Sequence, residues 1–149
     1  MTQANFGNEQ PKGSGSDNAP FAEGVLLNTQ VSFTFTAGAA NVAEVAIALL
    51  DGHGSAVAHP QPLKVWLSDA ATGVGLTATS ASGTVQAKAA SGADFGVLTA
   101  KKALLVQPLA TGIYTLEITD TAKTGFYVAV QFPDGRVEVS RVMTAADYG

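Results

Sequence analysis

The stretch GFYVAVQFPDGRVEVS, residues 125 to 140, decides the fold. Phe126, Val128, Val130 and Phe132 occupy alternate positions, the period of a strand with one buried face. Pro133-Asp134-Gly135 then supplies turn chemistry, because proline presets φ and glycine accepts the backbone angles a tight turn demands. Val137 and Val139 return as the partner strand. This predicts a β-hairpin. No histidine, cysteine or paired acid stands close to it, so the hairpin reads as architecture.

The same period continues upstream. Tyr114, Leu116 and Ile118 alternate with Thr115 and Glu117, and Asp120 to Gly125 makes the turn into the hairpin. In QVSFTFTA, Val31, Phe33 and Phe35 alternate with Ser32, Thr34 and Thr36. In NVAEVAIALLDGHG, Val45, Ile47 and Leu49 share one face before Asp51-Gly52 turns the chain. Alanine abundance makes helix an alternative for residues 39 to 50. The β-branched alternation running into Asp-Gly favours strand.

His59-Pro60-Gln61-Pro62 cannot lie inside a sheet. After it, Leu63, Val65 and Leu67 face one way, and Lys64 and Trp66 the other. A tryptophan opposite the core face is either packed under a loop or placed at an interface. Residues 70 to 91 are Ala, Thr, Gly and Ser with apolar beats at Val74, Leu76 and Val85, which predicts one or two short strands among long loops. Residues 94 to 99 add an edge segment, and Ala103 to Gln107 a further strand.

Short strands with turn signals about every 8–12 residues fit a sandwich or barrel rather than βαβ units. The fold expected is therefore all-β: a single antiparallel β-sandwich, immunoglobulin-like in character, over residues 25–143. A small β-barrel is the alternative, since alternation fixes strands but not their order. Residues 144–149 form a C-terminal tail that the sequence leaves open between fraying and making a contact. Residues 1–24 are rich in Gly, Asn, Ser and Pro and bury little by themselves, which predicts a flexible or extended N-terminal arm. The sharper reading of this arm is one that orders on a neighbouring subunit, with Phe6 or Phe21 as anchor.

Composition bounds the chemistry. The 149 residues suit one domain. Charged residues make up only 13%, about half the usual share, so the polar surface falls to Thr, Ser, Gln, Asn and backbone. That thin charge suits a protein held in an assembly. The net charge is −4, and Lys101-Lys102 is the longest basic run, too little for a phosphate-binding stripe, so no direct nucleic-acid partner is expected. With no cysteine, disulfides play no part. Residues 1–24 have neither the basic nor the apolar region of a conventional signal peptide. No apolar run approaches about 18 residues, so neither a membrane helix nor a membrane partner is expected.

Candidate catalytic groups are sparse. His53 and His59 lack metal-ligand spacing, and Asp51 is the one acid that stands with them. Gly-x-Ser-x-Gly is absent, and no glycine pattern forms a phosphate cradle. Asp69, Asp94, Glu117 and Asp120 sit beside turns or on solvent-side strand positions, where solubility and turn geometry account for them. The expectation is a protein without catalytic, metal or cofactor site. Its candidate interface residues are Phe6, Phe21, Trp66, Tyr127 and Tyr148; Tyr114 is a further contact aromatic.

The pieces KVWLSDAATG (64–73), ALLV (103–106) and TGFYVAVQFPDGRVEVS (124–140) together resemble a group of small structural proteins of tailed bacteriophages. The resemblance spans about residues 27 to 143 and rests on Val65 to Asp69, Tyr127, Pro133 to Arg136 and Val139. It implies a virion component on the head exterior, a decoration or cement protein whose partners are the major capsid protein and neighbouring copies of itself. A neck or tail component is the runner-up. A carbohydrate- or cell-surface-binding module, using Trp66 and the tyrosines as a stacking platform, is the reading from another class.

Overall fold

The computed structural model describes residues 29–57 and 61–149. Nine strands run through them: β1 (Gln30–Ala37), β2 (Val42–Leu50), β3 (Leu63–Ser68), β4 (Val85–Ala87), β5 (Ala93–Thr99), β6 (Ala103–Gln107), β7 (Ile113–Thr119), β8 (Tyr127–Gln131) and β9 (Val137–Val139). A single 3₁₀ turn, Ala145–Asp147, follows. Every pairing is antiparallel. The strands form two separate sheets, β1-β2-β7-β4 and β9-β8-β3-β6-β5, so the molecule is a sandwich and not a closed barrel.

The neighbour order is that of an immunoglobulin-like sandwich. With β1, β2, β3, β4, β7, β8 and β9 read as A to G, the sheets are ABED and GFC. The departure is the hairpin β5–β6, which lies between D and E in the chain and extends the second sheet beyond C. Variable immunoglobulin domains also lengthen this sheet, with two further strands. Here the added pair enters later in the sequence.

Alternation explains the core. Along β2, Ala43, Val45, Ile47 and Leu49 are buried while the residues between them are half-buried. The segment weighed as helix is thus a central strand, because its apolar period is two and both neighbours use it. These residues meet Tyr114, Leu116 and Ile118 of the same sheet and Leu63, Val65, Leu67, Leu104, Val106, Val128 and Val130 of the other in one apolar cluster. Phe126 and Phe132 join it from either end of β8. In the hairpin that opens the sequence reading, Gly135 has φ +92° and its N–H donates to Phe132 O at 2.9 Å.

Two carboxylates tie the sheets together at their sides. Glu138 of β9 accepts the backbone N–H of Val31 in β1 at 2.6 Å. On the opposite side, Asp94 of β5 accepts from Ala87 N in β4 and from the Tyr114 hydroxyl. Both acids stand on outermost strands, so each fastens one edge of the five-stranded sheet to the other sheet.

Residues 141–149 return along the first sheet. Met143 and Tyr148 are buried, and the Tyr148 hydroxyl donates to Thr124 O at 2.8 Å. Asn41 N donates to Gly149 O, and Gly149 N to Val42 O. The segment left open by the sequence is therefore docked in the β1–β2 corner. Tyr148 supplies the apolar anchor.

Candidate interaction surface

Among the described residues, Asp51, Asp69 and Asp120 are held by hydrogen bonds of the fold. Asp51 accepts from His53 N and Ser55 N, and these hydrogen bonds, Ser55 first, lower its pKa. Asp69 holds the loop after β3 by accepting from Ala78 N and the Thr77 hydroxyl, which likewise lower its pKa. Asp120 shapes the 120–125 turn, as its place in the sequence predicts: it is buried, and it accepts from Ser82 N at 3.0 Å and Thr124 N at 2.8 Å. Burial pushes its carboxyl up, but the bonds from Thr124 and Ser82 outweigh that and set the pKa at about 2. Among the described residues no three His, Cys, Asp or Glu side chains converge on a possible metal position. His59 lies outside the described residues.

Of the five candidate contact residues, Phe6 and Phe21 lie outside the described residues. Trp66 points away from the core, as its parity requires, but is only 8% exposed. The loop after β3 folds over it: the indole N–H donates to Gly73 O at 3.0 Å, and Ala103, Ala129 and Val139 pack around the ring. Gly73 has φ +73°, and a Cβ there would stand 2.8 Å from Val139 Cγ2. Of the two placements open to this tryptophan, packing beneath a loop is the one found. Tyr148 is buried in the corner described above. Tyr127 is half-buried at the start of β8, opposite Ser68. Tyr114 is fully buried, and burial first, then its bond to Asp94, raises its pKa.

The exposed apolar surface lies elsewhere. On the added hairpin Phe95 is 59%, Val97 63% and Leu98 52% exposed, and Leu105 on the paired strand is partly open. The segment ADFGVLTA carries one charge, Asp94, an exposed residue whose carboxylate accepts from Ala87 N and the Tyr114 hydroxyl. Edge strands that avoid association usually carry outward charge, and on β5 that is limited to Asp94 at its start. Register shifts at Asp94/Gly96 and Val97/Thr99 break its ladder, so β5 offers side chains more than a continuous row of backbone groups. In the sequence, the run Phe95-Gly96-Val97-Leu98 without lysine is the signal for this surface. Its alternation is blurred by the two bulges.

Next to the hairpin, on the outward face of the five-stranded sheet, lies a groove of about 460 Å³. Its walls are Pro62, Lys64, Leu105, Gln131 and the turn Phe132, Pro133 and Gly135. Comparison with protein-family models, with curated proteins and with solved structures returned no match.

Proposed function

We propose that this chain is a non-enzymatic structural protein that works by binding other proteins, and that it decorates the outer surface of a mature tailed-bacteriophage head. The observation that carries the binding reading is the β5–β6 edge, where Phe95, Val97 and Leu98 are each more than half exposed on one short strand. Contiguous exposed apolar side chains on an otherwise well-packed domain mark an interaction surface. The resemblance of residues 64–73 and 124–140 to phage structural proteins supports the head as the location. The partners are then the major capsid protein and neighbouring copies of this chain.

The mechanism needs no covalent step. A subunit that binds only the mature shell stabilises that state by mass action, and many copies multiply a modest contact. Stacking on a sugar requires an open aromatic face, which Trp66 lacks beneath the Gly73 loop. That geometry weighs against the glycan-binding alternative.

Purified protein is expected to bind isolated mature heads and to raise their resistance to heat and osmotic shock. Quantifying it in purified particles should give hundreds of copies spread over the head. A few copies at a vertex or along the tail would assign it to the neck or tail instead. No binding, or binding without added resistance, would overturn decoration.

A further inference from the structure

We infer that the outer edge of β1 is a strand-pairing surface for a second copy of this chain, the two β1 strands meeting antiparallel about a two-fold axis at Phe33. The inference concerns the isolated protein and does not rest on the β5–β6 edge or on where the protein works.

The two sheets end in β1 and β4 on one side of the sandwich and in β9 and β5 on the other. β4 and β9 are three residues each, too short to guide a partner, and β5 is interrupted by two register shifts. β1 differs. Its eight residues, QVSFTFTA, pair with β2 without a shift from Gln30 to Ala37 and contain neither charge nor proline. Short length, bulges, charge and proline are the devices by which a strand blunts its own edge, and β1 has none of them.

The backbone of β1 is turned the right way. Gly38 N donates to Val42 O on the β2 side, whereas Val31 N donates away from β2, to Glu138 Oε1 of the other sheet. Backbone groups alternate in direction along an antiparallel strand, so Phe33 and Phe35 also turn their N–H and C=O away from β2. Among the described residues neither of these N–H groups has an acceptor. Such a row is a template for an added strand.

The strand complements itself. About Phe33, Val31 stands opposite the second copy's Phe35, and Ser32 opposite its Thr34. The first pair sets a β-branched side chain against an aromatic on the inward face. The second sets hydroxyl against hydroxyl on the outward face, and both kinds of pair are favourable across strands. Phe33 exchanges N–H···O=C bonds with its counterpart, and Phe35 N reaches the opposite Val31 carbonyl while Val31 N keeps Glu138. Glu138 and Arg141 are the charged groups bonded to or stacked on β1, and each has its partner in the same chain, Arg136 at 3.5 Å and Asp147 at 2.6 Å. The seam therefore sets no unmatched charge against its like. One strand pair buries less than a standard interface of about 1,200–2,000 Å², so the dimer is weak in solution and is favoured where copies are held close together.

Sedimentation equilibrium of the full chain should show monomer and dimer exchanging with concentration. The amides of Phe33 and Phe35 should gain protection from hydrogen exchange as the dimer forms. Ser32→Lys with Thr34→Lys sets like charges across the seam at exposed positions, and should weaken the dimer at least tenfold with an unchanged melting temperature. The chain has no cysteine, so the register can be read from two single variants. Ser32→Cys and Thr34→Cys face each other as a non-hydrogen-bonded pair, about 4.5 Å between Cα atoms, within reach of a disulfide. Mixed under oxidation, they should cross-link to each other faster than either does to itself. A monomer at millimolar concentration would overturn the inference, as would a dimer indifferent to the two lysines. A dimer lost through Val97→Lys instead would move self-association to β5. Cross-linking of each cysteine variant chiefly to itself would overturn the two-fold at Phe33.

Discussion

The Tyr114 hydroxyl, at the centre of one sheet, donates to Asp94 Oδ1 on the outermost strand of the other at 2.6 Å. The second carboxylate oxygen takes the N–H of Ala87 from the first sheet's edge. One acid therefore fastens the added hairpin to two strands of the opposite sheet. That anchorage leaves Phe95, Val97 and Leu98 facing outward on a fixed support.

Asp94→Ala should lower stability by about 2 kcal/mol, because it strands a buried tyrosine hydroxyl and loses charged hydrogen bonds. Tyr114→Phe should cost less, about 1 kcal/mol, since water can reach the carboxylate that remains. Urea unfolding of the two variants compares them directly. Equal or inverted costs would show that the tie is not what holds the hairpin.

The buried tyrosines make stability fall in alkali. Burial first, then Asp94, raises the pKa of Tyr114; burial first, then the charges of Asp120 and Asp147, raises that of Tyr148. Both stay neutral in the fold at pH values where unfolded tyrosine, near 10, ionises. Their contribution is fully present below about pH 10 and is lost as pH rises above it. Tyr148→Phe should flatten this alkaline loss, as read from melting temperatures between pH 9 and 11.

Acid acts through Asp120 and Asp147. The Asp120 pKa of about 2 is the net of burial, which raises it, and the stronger bonds from Thr124 and Ser82. Asp147 is held at about 2 chiefly by the Arg141 guanidinium, whose nitrogens lie 2.8 and 2.6 Å from its oxygens. Both folded values lie below the unfolded aspartate value, so the stabilisation is present above about pH 4 and is lost as pH falls toward 2. Asp120 alone should account for about 2 kcal/mol of this, and Asp120→Asn should make stability flatter between pH 4 and 2. An unchanged acid limb in that variant would remove Asp120 from the account.

Strand assignment was legible because one period governs both sheets. Residues 63–67 and 126–132 show which side chains face inward without any knowledge of the neighbours. Strand order was not legible, since alternation carries no information about which edges meet. The placement of β5–β6 beside β3 follows from the long-range pairing of residues 63–66 with 103–106, which no local pattern announces. Trp66 shows the same limit. Its outward parity was readable, but the loop that covers it depends on Gly73 adopting a positive φ.

Gly73 and Trp66 test that cover. Gly73→Ala places a Cβ against Val139 at a left-handed backbone position, where strain alone costs about 1–2 kcal/mol. The loop must lift, and the single tryptophan should move to more exposed, red-shifted emission. Trp66→Phe should also destabilise, by losing the bond to Gly73 O and part of the packing. Native-like emission and stability in Gly73→Ala would mean that the loop is not what shields the indole.

Phe95→Lys and Val97→Lys separate assembly from folding. Both side chains are mostly solvent-exposed, so each change should alter stability by no more than about 0.5 kcal/mol. Each also places an ammonium among the exposed apolar side chains of an edge strand, the usual device against strand-edge association. If partners bind there, burying a lysine charge in an apolar contact is costly, and affinity should fall at least tenfold. Binding to isolated heads, measured beside thermal unfolding, gives both readings from one preparation. Lost binding with an unchanged melting temperature assigns the interface to β5–β6. Retained binding in the double variant would move the interface to another face and leave the exposed edge without a role in assembly.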